Sequence, residues 1–124
     1  MKNGFTLIEL LAAMVILGLL VIITIPTYNS ILYSIKKDNL SAKVHNIEIA
    51  ALKYGDTIKD DVKNGPGSCI KTDVKELIQK GYLMSENDVL DEIYSPVDNL
   101  PLDGEINICY NYDEFDINAK YVFD

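Results

Sequence analysis

The sequence predicts an α+β chain in which one long N-terminal α-helix, apolar in its first half, packs on a small C-terminal domain with an antiparallel β-sheet. Three observations carry that prediction. From Glu9 the chain runs without a charge to Pro26. Leu40, Val44, Ile47, Ala51, Tyr54 and Ile58 then recur at alternating spacings of four and three, one stripe of an amphipathic helix. Finally, Ile106, Ile108, Tyr110 and Tyr112 alternate with polar residues, as do Phe115, Ile117, Ala119, Tyr121 and Phe123, the period of two half-buried strands.

The first element, Phe5 to Ile25, is long enough as a helix to cross a hydrocarbon core of about 30 Å. Nothing after Ile25 resembles a small-residue cleavage site, so the apolar stretch is expected to be retained. Lys2 lies before the stretch and Lys36 and Lys37 after it, so charge alone leaves the orientation undecided. Glu9 sits at the start of this stretch, and a carboxylate at that place calls for a counter-charge.

Pro26 removes a backbone donor and either kinks the helix or ends its membrane part. Tyr28, Ile31, Leu32 and Ile35 form a stripe of their own, which breaks across Lys36-Lys37-Asp38, where the face rotates or the helix bends. A single helix from Phe5 to about Lys63 is expected, stopped by Asn64-Gly65-Pro66-Gly67. The later stripe could serve a coiled coil, but so few heptads favour packing against the chain's own domain.

Past that stop, Thr72 or Asp73 is placed to cap a short helix through Lys80, with Glu76 closing a box if Asp73 is the cap and Gly81 as terminator. Ser85 is expected to cap another turn or two through Ile93. Pro96 and Pro101 bracket a loop and Asp103-Gly104 makes a turn. The two strands then form an antiparallel hairpin turning around Asp113 to Asp116.

Composition narrows the function classes. The 124 residues carry a net charge of -8, and every basic residue is lysine. No lysine cluster is interleaved with aromatics, so a direct grip on nucleic acid is not expected. The sole histidine, His45, reads as a surface residue of the helix and permits neither a multi-histidine metal site nor a Ser-His triad. Cys69 and Cys109 are too far apart for a CxxC redox or zinc pattern; they are either two separate thiols or a disulfide stapling a small domain outside the cytosol. No cofactor or metal is expected. The one hard-oxygen grouping is Asp113, Glu114, Asp116 and Asn118, with Asp98 and Asp103 in the preceding loop. It is a calcium candidate without EF-hand spacing, and acidic turns are ordinarily just solvated.

Gly4-Phe5-Thr6-Leu7-Ile8-Glu9, preceded by a short basic leader and followed by the uninterrupted apolar helix, resembles the processing signal of type IV pilins and pseudopilins. The resemblance implies that a membrane-embedded aspartyl peptidase, prepilin peptidase, cuts between Gly4 and Phe5 on the cytoplasmic side and methylates Phe5. It implies that Glu9 pairs with the new amino terminus of a neighbouring subunit during assembly, and that Gly18 and Pro26 stand where pilin helices carry helix-weakening residues. Some pseudopilins of secretion systems bind calcium in their terminal loops, which bears on the acidic turn. The implied layout is leader 1–4, transmembrane and filament-core helix 5–25, amphipathic second half 26–63 and small α+β region 64–124.

The resulting expectation is a non-enzymatic subunit, anchored in the cytoplasmic membrane as a single-pass precursor with its C-terminal domain outside. It self-assembles with the pilus machinery into a helical surface filament or pseudopilus. A membrane-tethered extracytoplasmic binding module that forms no polymer is the competing reading.

Overall fold

The computed structural model describes residues 4–87 and 89–123, with Thr24 and Pro26 defined by their backbone only. Two compact units divide the chain, residues 1–36 and 37–124.

Helix α1 spans Leu7–Thr57, a shorter α2 spans Lys59–Asn64, and a 3₁₀ turn covers Pro66–Ser68. Strand β1 (Cys69–Asp73), helix α3 (Val74–Gln79), strand β2 (Glu105–Asn111) and strand β3 (Asp116–Tyr121) complete the order. The three strands form one antiparallel sheet in the order β1-β2-β3.

The single helix expected from Phe5 to Lys63 is corrected at both ends. It starts at Leu7 because Thr6 and Glu9 close a capping box there, described below. It breaks at Ile58, where the Thr57 hydroxyl donates to the Tyr54 carbonyl at 2.6 Å and the Ile58 N–H bonds back only three residues, to Gly55. A side chain that takes up a helix carbonyl competes with the backbone ladder. The ladder restarts when the Val62 N–H reaches the Ile58 carbonyl, and α2 then stops at Asn64, before Gly65. Across position 26 the backbone stays helical; the Pro26 side chain, and leader residues 1–3, lie outside the described residues.

In unit 37–124 the stripe at spacings of four and three faces the core. Ile47 and Ala51 are fully buried, with Leu40, Val44, Tyr54 and Ile58 packed around them. They meet Ile106, Ile108, Ile117 and Tyr121 of the sheet, together with Val62, Val74 and Leu77. Gly55 permits the closest approach: a Cβ there would stand 2.8 Å from Ile108 Cγ2 and 2.7 Å from Ile117 Cδ1. This packing against the chain's own sheet is what the stripe predicted.

The short helix forms as expected, with Asp73 as the cap, its carboxylate accepting the Glu76 N–H at 2.7 Å. Glu76 does not reach back to close the box; its carboxylate instead accepts the Thr72 hydroxyl at 2.7 Å. Gly81, at φ 85°, ends the helix: its N–H bonds the Ile78 carbonyl while the Tyr82 N–H bonds that of Leu77. Only a residue at ease in the left-handed region closes a helix this way.

Further points differ from the expectation. Strand β1 was not anticipated, because Cys69-Ile70-Lys71-Thr72-Asp73 is short and polar and becomes a strand only by pairing with β2, which turns Ile70 and Thr72 inward. Ser85 caps no helix. Its hydroxyl lies 2.7 Å from the Asn87 carbonyl and 2.6 Å from that of Leu90, and it accepts the Asn87 N–H, so it ties an irregular loop together. Asp103-Gly104 makes no turn either; Gly104 is buried where its N–H donates to the Tyr121 hydroxyl at 2.9 Å, and a Cβ would collide with the Val122 carbonyl oxygen. Close approach, not chain reversal, is what this glycine serves. The hairpin turns across residues 112–115, leaving Tyr112 and Phe115 exposed outside the strands, and Pro96 lies in a loop that closes through a bridge between Tyr94 and Pro101.

Candidate processing and assembly site

The N-terminal unit is a bare apolar helix. Every described side chain from Phe5 to Ile25 is exposed, and α1 is the one described helix long and apolar enough to cross a membrane. Among the described residues nothing lies within 4 Å of where a Cβ on Gly4 would be, and Phe5 is 91% exposed. Gly18 likewise has nothing within 4 Å, which leaves that point of the helix open to close neighbours.

Thr6 and Glu9 act on each other. The Glu9 carboxylate accepts the Thr6 backbone N–H at 3.1 Å, and the Thr6 hydroxyl accepts the Glu9 N–H at 3.3 Å. This reciprocal box satisfies two of the donors that a helix start leaves without carbonyl partners. It also holds an anion at the positive end of the helix dipole. In the lone chain Glu9 thus meets its own first turn, not the counter-charge expected of it. Sequence reasoning missed Thr6, although Thr6-Leu7-Ile8-Glu9 ahead of an apolar run has the spacing of a capping box.

Cys69 and Cys109 face each other in register across β1 and β2 and are joined as a disulfide, with their Cα atoms 4.0 Å apart. His45 is exposed. At the acidic turn, Asp116 accepts the Ile117 N–H at 2.8 Å with Lys59 Nζ 3.7 Å away, and the Asp113 N–H donates to Asn111. Among the described residues no three His, Cys, Asp or Glu side chains gather where they could hold a metal ion.

A depression of about 200 Å³ is lined by Asp73, Asp91, Glu92 and Asp103 with Lys75. Asp73 caps α3, Asp91 accepts from the Gln79 amide at 3.3 Å and Glu92 accepts from the Tyr94 hydroxyl at 2.7 Å. Three of its four carboxylates thus have architectural partners.

One electrostatic contact joins α1 to the loop after α3. Lys43 Nζ donates to the Tyr94 carbonyl at 2.8 Å and lies 2.5 Å from the Glu86 carboxylate. Burial by itself pushes the Glu86 carboxyl up. The Lys43 hydrogen bond, the Tyr94 N–H and the Lys43 charge outweigh it and hold Glu86 below its ordinary value.

Residues 1–25 match a family model described as the prokaryotic N-terminal methylation motif. No curated protein and no solved structure matches the chain. An exposed Gly4–Phe5 peptide, a capped Glu9 and an unburied apolar helix are the physical content of that motif here. The chain therefore carries at its N-terminus the prepilin-type signal of type IV pilin and pseudopilin precursors, which prepilin peptidase processes.

Proposed function

We propose that this chain is a structural, non-catalytic subunit that polymerises into a type IV pilus-like filament. Prepilin peptidase cuts between Gly4 and Phe5 and methylates Phe5, leaving the apolar helix in place with a charged amine at its head. Glu9 then exchanges its contact with its own first turn for the amine of a neighbouring copy, while segment 5–25 passes from the membrane into the packed centre of the filament. Residues 26–63 connect this spine to the small 64–124 region, which stands outside the membrane and forms the surface. Gly18 and Pro26 lie where the helix can yield on leaving the bilayer. The pilus assembly machinery extracts the subunit, and no nucleic acid contacts it directly.

The observation that carries this reading is the joint occurrence of the motif and an unburied helix that the chain cannot cover by itself. So large an apolar surface needs lipid or other copies of the helix. Contacts between copies that repeat without closing into a ring build helical polymers. The test is the intact mass of the N-terminus together with recovery of the chain in sheared surface filaments. Loss of residues 1–4, methylated Phe5 and recovery in filaments are expected; an untrimmed chain confined to the membrane as single molecules would instead establish the tethered module.

A further inference from the structure

The apolar stretch can sit in a bilayer in two registers. If hydrocarbon covers Phe5 to Ile25, Glu9 and the start of the helix lie inside it. Unsatisfied donors at the helix start disfavour that. Helix α1 begins at Leu7, and its capping box serves only the N–H groups of Thr6 and Glu9, so the remaining first-turn donors need water or headgroups. With Glu9 at headgroup level, a core of about 30 Å takes up about 20 residues at 1.5 Å each, from Leu10 to about Asn29.

The chain beyond Pro26 fits that shifted register. No charge occurs from Leu10 to Ile35, well past the end of the purely apolar stretch. Residues 27–35 mix Tyr28, Tyr33, Asn29 and three hydroxyl side chains with Ile31, Leu32 and Ile35, and every one of them is exposed. Tyrosines with uncharged polar neighbours are the composition of a membrane–water boundary, where the ring lies among acyl chains and the hydroxyl among headgroups. Lys36 follows about 10 Å beyond the core edge, within reach of lipid phosphate for a long side chain.

We propose that the outer lipid headgroup layer is a binding partner of the 28–36 segment, with Tyr28 and Tyr33 as its aromatic belt and Lys36 as its phosphate contact. Glu9 and Lys36 thereby mark the two faces of the bilayer. This rests on the membrane-anchored part of the reading above and is independent of polymerisation. The register keeps the Gly4–Phe5 peptide in the inner headgroup layer, where water can reach it. It also gives the precursor a second hold on the membrane that must be released before extraction.

The experiment uses the full chain with its disulfide closed and one added cysteine carrying a polarity-sensitive fluorophore. The positions are Leu17→Cys, Thr27→Cys, Ser34→Cys and Asn39→Cys, in vesicles of phosphatidylcholine with a minor fraction of phosphatidylglycerol. Blue-shifted emission quenched by brominated acyl chains is expected at 17 and 27, intermediate emission at 34, and aqueous emission at 39. Lys36→Gln with Tyr28→Ala and Tyr33→Ala should move the position-27 signal toward the aqueous value. An aqueous signal at 27 with an apolar one at 17 overturns the shifted register while leaving membrane anchoring intact. An aqueous signal at 17 as well would count against anchoring itself. A signal at 27 or 34 that turns aqueous as lipid is raised over protein assigns the segment to a neighbouring copy and overturns the lipid contact.

Discussion

Thr6 and Glu9 are locked in a reciprocal cap, hydroxyl to N–H in one direction and carboxylate to N–H in the other. The carboxylate that the filament reading assigns to a neighbour's amine is therefore already engaged in the lone subunit. On that reading, assembly would exchange one partner for another without leaving a bare charge in lipid. Glu9→Gln keeps an acceptor for the cap and loses the charge, whereas Glu9→Ala loses both. Both variants are expected to insert into the membrane and to be absent from sheared filaments; normal incorporation of Glu9→Gln would show that the cap suffices and end the ion-pair assignment. Thr6→Ala removes one arm of the box and should cost about 1 kcal/mol of helix-end stability, read as faster amide exchange at Leu7 to Leu10 in micelles.

A Cβ on Gly4 would meet no described atom within 4 Å, so a larger side chain has room there. Gly4→Leu should therefore fold and insert normally yet keep residues 1–4, because the obstruction lies in the peptidase cleft. The intact mass of the membrane fraction decides this, and an unchanged mature terminus would remove Gly4 from the processing site.

A methyl group at Gly55 would press on Ile108 Cγ2, which belongs to a fully buried, β-branched side chain with little room to turn. Gly55→Ala gains about 1 kcal/mol of helix propensity, but overpacking a tight core costs about 1 to 3 kcal/mol. Net destabilisation is expected, read as a lower denaturant midpoint for the domain.

The bond between Cys69 and Cys109 closes a loop of sequence separation 40. Constraining the unfolded chain over such a loop stabilises the fold by about 4 kcal/mol in the chain-entropy account. The Cys69→Ser, Cys109→Ser double variant, or thiol reductant, should lower the melting temperature markedly. The region is small, and domains with so little core of their own depend on such staples.

Glu86 is held below its ordinary value in the fold, so its contribution to stability is complete above the unfolded-state value and disappears as pH falls through the folded one. Lys43→Met keeps much of the aliphatic stem and removes the charge. The variant should be less stable than the parent at neutral pH, and the difference in melting temperature should close at acid pH, where the parent's carboxylate is neutral too. A difference independent of pH would assign the role of Lys43 to its contact with the Tyr94 carbonyl.

The stretch from Gly4 to Ile25, the buried stripe at spacings of four and three, the Asp73 cap, the Gly81 stop and the alternation of β2 and β3 were all legible in the residues alone. Each is a local pattern whose physics is complete within a few turns or one strand: where the charge is missing, which face is apolar, which backbone lacks a partner. The functional motif belongs to the same class. Its information is a short order of residue types, which is why it was readable where the rest of the candidate site was not.

What tertiary structure decided was everything that needs a partner far along the chain. Strand β1 is too polar and short to declare itself and exists because β2 lies beside it, bringing Cys69 opposite Cys109. Gly104 looks like a turn residue, but Tyr121 and Val122 fill the space its side chain would need. Ser85 had the residue type of a helix cap and became the tie of a loop, because Lys43 and Glu86 fasten that loop to α1. A sequence specifies its local hydrogen-bond options and its apolar periods directly; which option wins where several are open is set by the burial and pairing that distant segments supply.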